Sequence, residues 1–302
     1  MYSKILVPLD ASQMSEKVLP LARFMAAGLK IPVELLRVID FHIAEASFAP
    51  EHGRYLDVVA SDMKDEGLNY LKKIAKSFAD ASAVHCSTQI GDPAEVIVES
   101  AKPDTLVLMS THGRSGAQRW LLGSVADKVL HATTSPLVLV RAKDSEKAAA
   151  GESIPTTILV PLDGPGLSEL VLPHVTALAR KLNLEVVVIR APFVPISAYA
   201  ASEYEASFQE VATARIDECR KYLEEKVEQL QAGGVSKVSY VLLNGDAAAE
   251  IIEMARTTPD NLVAMSTHGS SGIGRWLLGS VTDRVVRYSG DPVLVIRAAR
   301  TD

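Results

Sequence analysis

Residues 109 to 127 and 265 to 283 carry one pattern twice: Met-Ser-Thr-His-Gly, nine residues ending in Trp-Leu-Leu, then Gly-Ser-Val and soon an Asp. Gly113 matches Gly269, Trp120 matches Trp276 and Gly123 matches Gly279, each pair 156 residues apart (269 minus 113). A pattern this long, repeated at one offset, is a duplication. The 302 residues therefore divide into two copies of one unit, each large enough to bury its own core. The first domain is expected over 1–142 and the second over 156–302. The charged, Ala- and Gly-containing stretch 143–155 has no hydrophobic periodicity and reads as the linker.

Within each copy, short apolar runs alternate with amphipathic segments. In the first half strands are expected over 4–10, 33–39, 83–90, 106–109 and 137–141. Helices are expected over 12–30, 55–78, from Asp92 onward, and over 124–132, with Pro20 imposing a kink or a late start on the first. Gly91-Asp92-Pro93-Ala94-Glu95 is a helix start, with Asp at the N-cap, Pro at the first helical position and Glu at the third. The second half repeats the scheme, with strands over 157–163, 184–189, 237–243, 261–265 and 291–297 and a long helix over 203–231. Strands alternating with helices imply right-handed crossovers and a parallel sheet covered on both faces. The fold class is α/β, two similar five-stranded units. Strand five of each half is an apolar edge that must be covered; pairing the halves through it gives a pseudo-dimeric chain, and a homodimer is a further option.

Composition narrows the function. A net charge of -6 argues against general nucleic-acid binding. No apolar run approaches the roughly 18 residues that span a bilayer, and the N-terminus enters a strand pattern at once, leaving no room for a signal peptide. A cytoplasmic protein is expected, with no membrane partner. Cys86 and Cys219 stand at unrelated places in the two halves, which suits free thiols in a reducing compartment. No Cys/His spacing resembles a metal site.

The repeated stretch carries the chemistry. In each copy a buried strand ends in Ser-Thr-His-Gly, and Gly123-Ser124 or Gly279-Ser280 then opens a helix. Ser124 with Asp127, and Ser280 with Asp283, read as an N-cap followed by an acidic residue. A glycine at a helix start lets a ligand's oxygens approach unpaired N–H groups, where the helix dipole favours an anion such as phosphate. Ordinary turn chemistry accounts for the same glycine, and the two Asp residues oppose a phosphate unless they fold away. Asp10 and Asp163 follow the first strands; such an Asp is either a turn residue or an acceptor for ribose hydroxyls. Pro8, Val38 and Met109, with Pro161, Ile189 and Met265 as their counterparts, supply an apolar slot for a base.

Val-Pro-Leu-Asp at the start, Gly-Asp-Pro-Ala before the third helix, and Ser-Thr-His-Gly-(nine)-Gly-Ser-Val before Pro-Leu-Val-Leu-Val resemble the universal stress protein family over nearly all of both halves. The resemblance implies an adenine-nucleotide-binding fold of strand order 3-2-1-4-5, ATP as ligand with Mg2+ admissible beside it, and no firmly assigned catalytic activity. ATP-binding members carry Gly-x2-Gly-x9-Gly-(Ser/Thr). Here Ser110 and Ser266 replace the first glycine, while Gly113, Gly123, Ser124 and Gly269, Gly279, Ser280 fit, with Val125 and Val281 beside them as further expected site residues. Ser adds a side chain where backbone approaches phosphate, although its hydroxyl can donate to phosphate. Arg114 becomes Ser270 and Asp40 is set against Ala191, so the first site is expected to bind ATP more tightly.

Three functions stay open. The chain senses or buffers ATP and signals to an unidentified protein partner; or it is a structural, chaperone-like module with inherited loops; or it is a slow ATP hydrolase using His112 or His268 as base. No Gly-Lys-Ser/Thr phosphate loop supports the last. Trp120 and Trp276 read as packing or dimer anchors.

Overall fold

Every residue of the strand Thr105–Ser110 is buried. Successive strand side chains point to opposite faces, so the sheet is covered on both sides there. The strand Asn261–Ser266 in the second half is buried throughout in the same way. The structure is a computed structural model that describes residues 2–40, 56–112, 122–141, 154–192, 205–267 and 278–297. Gly113, Arg114, Gly269, both tryptophans and nearly all of the expected linker lie outside the described residues.

The chain forms two units, Met1–Ile154 and Pro155–Asp302. In the first, β1 (Lys4–Pro8), β2 (Val33–Ile39), β3 (Val84–Ile90), β4 (Thr105–Ser110) and β5 (Leu137–Val140) are parallel in the order β3-β2-β1-β4-β5. In the second, β6 (Thr157–Pro161), β7 (Glu185–Arg190), β8 (Val238–Leu242), β9 (Asn261–Ser266) and β10 (Val293–Ile296) repeat it as β8-β7-β6-β9-β10. The order expected from the family resemblance is the order found. Both first strands stop at Pro8 and Pro161, two residues short of the expected ends.

The first-unit helices are α1 (Leu19–Leu29), α2 (Leu56–Ala75), α3 (Pro93–Ser100) and α4 (Ser124–Ala132). The second-unit helices are α5 (Leu172–Leu182), α6 (Glu205–Ala232), α7 (Ala247–Thr257) and α8 (Ser280–Tyr288). Pro20 delays α1: a 3-10 turn over Ser15–Val18 precedes it, and the proline stands in the first helical turn, where no backbone N–H is needed. Asp92 caps α3 as expected, its side chain accepting from the N–H groups of Ala94 and Glu95. Asp246 caps α7, accepting from Ala249.

The strand pairing corrects one reading of the repeat. Pro8 pairs with Leu36 and Pro161 with Ile189, so Ile189 is the counterpart of Leu36. Val38 therefore matches Ala191, and setting Asp40 against Ala191 is out of step by two residues. Apolar runs align equally well at neighbouring even offsets, because shifting by two keeps every side chain on the same face.

Leu106 is fully buried, and Leu106→Ala is expected to destabilise the first unit by about 3 kcal/mol, read as a fall in the urea midpoint. An unchanged midpoint would contradict a sheet packed on both faces.

Candidate functional site

Strand order reverses between β1 and β4, and in such sheets the crevice beyond the strand carboxyl ends is where ligands bind. In the first unit that crevice is a cavity of about 330 Å³, at the small end of ligand-site volumes. Pro8, Asp10, Val38, Met109, Ser110, Gly123, Ser124 and Val125 all line it. These are the described site residues expected in this half. Leu36, Arg37, Ile39, Asp40, Met63, Ile97, Thr111 and His112 also line it and extend the expected set.

The loop between β4 and α4 is closed by its own backbone. The Gly123 N–H donates to the Thr111 carbonyl at 2.8 Å, and Gly279 to Thr267 at 2.7 Å. Gly123 is itself the N-cap of α4, with φ −61 and ψ 148 and no side-chain cap. Ser124 is thus the first helical residue, which corrects its assignment as cap; Gly279 and Ser280 stand in the same relation. The dihedrals of Gly123 suit any residue. Its need for glycine is steric: an added Cβ would lie 2.9 Å from the Thr111 oxygen.

The aspartates of the motif helices turn away from the helix start. Asp127 lies 3.7 Å from His131 Nδ1 and Asp283 accepts from Arg287 Nε at 2.8 Å, both one turn further on. The Asp283 bond draws that carboxylate away from the opening of its helix, which favours an anion there. A second tie fixes the helix laterally: Lys128 Nζ is 3.2 Å from Asp92 and Arg284 NH1 is 2.8 Å from Asp246.

Asp10 takes the turn role. Its Oδ1 accepts from the Ser12 N–H at 2.9 Å and the Ser12 hydroxyl at 2.6 Å, which leaves Oδ2 outside that turn. Ala11, held between them, has φ 65. Ser110 is folded back, accepting from the His112 N–H at 3.3 Å. His112 Nδ1 lies 2.9 Å from the Thr111 hydroxyl, and Nε2 is buried with no partner among the described residues. In the second unit Met265 and Ser266 are buried at the end of β9 and Asp163 follows β6 in an exposed position. Ile189 is in the core. His268 lies outside the described residues.

One duplicated constellation is absent from the sequence-based expectations. Tyr70 of α2 donates its hydroxyl hydrogen to Glu16 at 2.8 Å, with the Arg37 guanidinium 5.7 Å from its ring centre. In the second unit the Tyr222 hydroxyl lies 2.8 Å from Glu169 and 3.0 Å from the Gly164 carbonyl, and Arg190 is 4.8 Å from the ring centre. Lys226 completes it, 2.9 Å from Glu169. Burial, followed by the hydrogen bond to glutamate, pushes both tyrosines well above their ordinary pKa. The recurrence of Glu, Arg and Tyr at matched places is the signal by which it could have been found. Among the described residues no three His, Cys, Asp or Glu side chains converge as for a metal ion.

An order-reversing parallel sheet with a helix opening onto its crevice places this chain among the doubly wound α/β proteins. A model described as the Universal stress protein family matches residues 1–141 and 155–297, and the chain belongs to that family. Universal stress protein MJ0531 of Methanocaldococcus jannaschii is 30% identical over 152 residues, covering 50% of this chain and 88% of that protein. Universal stress protein Rv2623 of Mycobacterium tuberculosis is 24% identical over 311 residues, covering 98% and 97%. The crystal structure of a universal stress protein from Archaeoglobus fulgidus shares the fold, with a TM-score of 0.67, 20% identity and coverage of 99% and 100%.

Two substitutions probe the loop and its support. Gly123→Ala is expected to destabilise the first unit by about 2 kcal/mol through overpacking, seen as a lowered Tm. Asp92→Ala is expected to cost about 1 kcal/mol through the lost cap. Hydrogen bonding from the Glu95 N–H is the main cause lowering the Asp92 pKa below its ordinary 3.8. The stabilisation is therefore present above pH 3.8 and lost as pH falls through the lowered value. A wild-type minus variant difference that stays constant in acid titration would refute that origin.

Proposed function

We propose that this universal stress protein binds adenine nucleotide, ATP above all, in the cavity of its first unit and at the matching place in its second. The carrying observation is the convergence of Pro8, Asp10, Val38, Met109, Ser110, Gly123, Ser124 and Val125 around one space. The phosphates sit at the opening of α4, beside the first N–H groups of the helix and under its positive dipole end. Asp10 accepts from the ribose, and the base packs against Val38, Met109 and Met63. Mg2+ accompanies the phosphates. Occupancy orders the loop between β4 and α4 and is read by a protein partner.

A specific observation favours a second reading, a structural interaction module. The space a side chain would take at Gly123 is already filled by the Thr111 carbonyl, so the glycine has a reason to be there without any ligand. Slow hydrolysis with His112 as base is the third reading.

Nucleotide extracted from natively purified protein, followed by calorimetric titration of ATP into stripped protein, separates these. ATP is expected to bind, and Val38→Glu to weaken the first site at least a hundredfold by placing a charge against the base. Wild-type protein that neither carries nor takes up ATP would leave the module reading standing. Turnover lost in His112→Ala with binding kept would support the hydrolase.

A further inference from the structure

Arg190 is 8% exposed, yet among the described residues its guanidinium makes no hydrogen bond or ion pair; its contact is the face of Tyr222. It is the last residue of β7, at the carboxyl end of the sheet, and one terminal nitrogen lies 3.4 Å from where a Cβ on Gly164 would stand, directly after Asp163. Arg37 occupies the same register position in the first unit. It too stacks on a tyrosine without a hydrogen-bonded partner among the described residues, and it lines the cavity together with the opening of α4. A cation withdrawn from water with its donors unused is held at a cost. Arg37 is half-buried where Arg190 is buried, but both lie in the same place, against a ring whose hydroxyl is pinned by a glutamate.

We infer that Arg37 and Arg190 are ligand-binding residues, each presenting a stacked, preorganised guanidinium to anionic oxygens of the kind carried by a phosphate chain. Planar guanidinium groups match such oxygens in bidentate fashion, and stacking on Tyr70 or Tyr222 holds the plane before the ligand arrives. The inference rests on the nucleotide-binding reading and sharpens it. Each unit has its own cation at this position, so this contact is common to both units, unlike the loop pair Arg114 and Ser270.

Full-length wild type, Arg37→Gln and Arg190→Gln are titrated with ATP and, separately, with inorganic triphosphate, well below their melting temperatures. Two ATP sites are expected in the wild type, with each variant weakening one of them about tenfold, the loss of one charge-assisted hydrogen bond. Equal arginine dependence for ATP and triphosphate places the contact on the phosphates; dependence with ATP alone places it on the nucleoside and overturns the phosphate assignment. Wild type that binds ATP while both variants bind it equally well overturns the inference and leaves the nucleotide reading intact. Wild type that binds triphosphate through these arginines but not ATP upholds the arginine assignment and overturns the nucleotide reading, and binding of neither removes both.

Discussion

The hydrogen bond from Gly123 to the Thr111 carbonyl, at 2.8 Å, is the constraint on which the site depends. It joins the end of the central strand β4 to the opening of α4 across a loop of eleven residues, 112 to 122. Because the donor is the N-cap residue itself, the first free N–H groups of the helix are brought to the strand end, at the crevice where the strand order reverses. A side chain at Gly123 would strike the acceptor oxygen 2.9 Å away. The glycine is thus required by backbone meeting backbone, and the second unit repeats the same closure between Gly279 and Thr267.

Electrostatics around that closure is arranged by direction as much as by composition. Asp127 and Asp283, one turn into their helices, engage partners toward the helix carboxyl end. Asp92 and Asp246 each cap one helix while engaging a cation on the motif helix. These carboxylates tie neighbouring helices together, and none of those bonds directs negative charge onto the helix opening. Surface ion pairs such as these contribute little stability singly.

Much of this is legible in the sequence because its signals are local. Asp92-Pro93 is a cap and a first helical position whatever surrounds it, and Pro20 moves a helix start by removing one donor. The repeat itself supplies the two units and the residues of the crevice. What stays hidden depends on groups meeting across elements. Serine caps helices well, so local preference favours Ser124 as the cap, but the closure to Thr111 puts Gly123 in that place. Val38 aligns with Ile189 as readily as with Ala191, because two apolar strands slide by two residues without exposing a polar face; only the pairing of Pro8 with Leu36 and of Pro161 with Ile189 settles the register. Arg37 and Tyr70 lie 33 residues apart in sequence (70 minus 37), too far for any periodicity to join them.

The tyrosine–arginine pair also shows how duplicated units come to differ at a site while keeping one backbone. Gly67 lies in α2 where an added Cβ would stand 3.0 Å from Arg37 Cδ and 3.1 Å from Thr88 Cγ2; glycine in a helix interior costs about 1 kcal/mol, and here it makes room for the arginine stem. Three residues before Tyr222, as Gly67 is three before Tyr70, stands Cys219, fully buried. In this unit the arginine lies closer to its ring, 4.8 Å against 5.7 Å, and Arg190 is buried where Arg37 is only half-buried. A difference on the long helix, away from the motif loop, thus accompanies a change in how deeply the arginine is set. The two units therefore differ in the packing of their long helices as well as in the sequence of their loops, where Arg114 in one is Ser270 in the other.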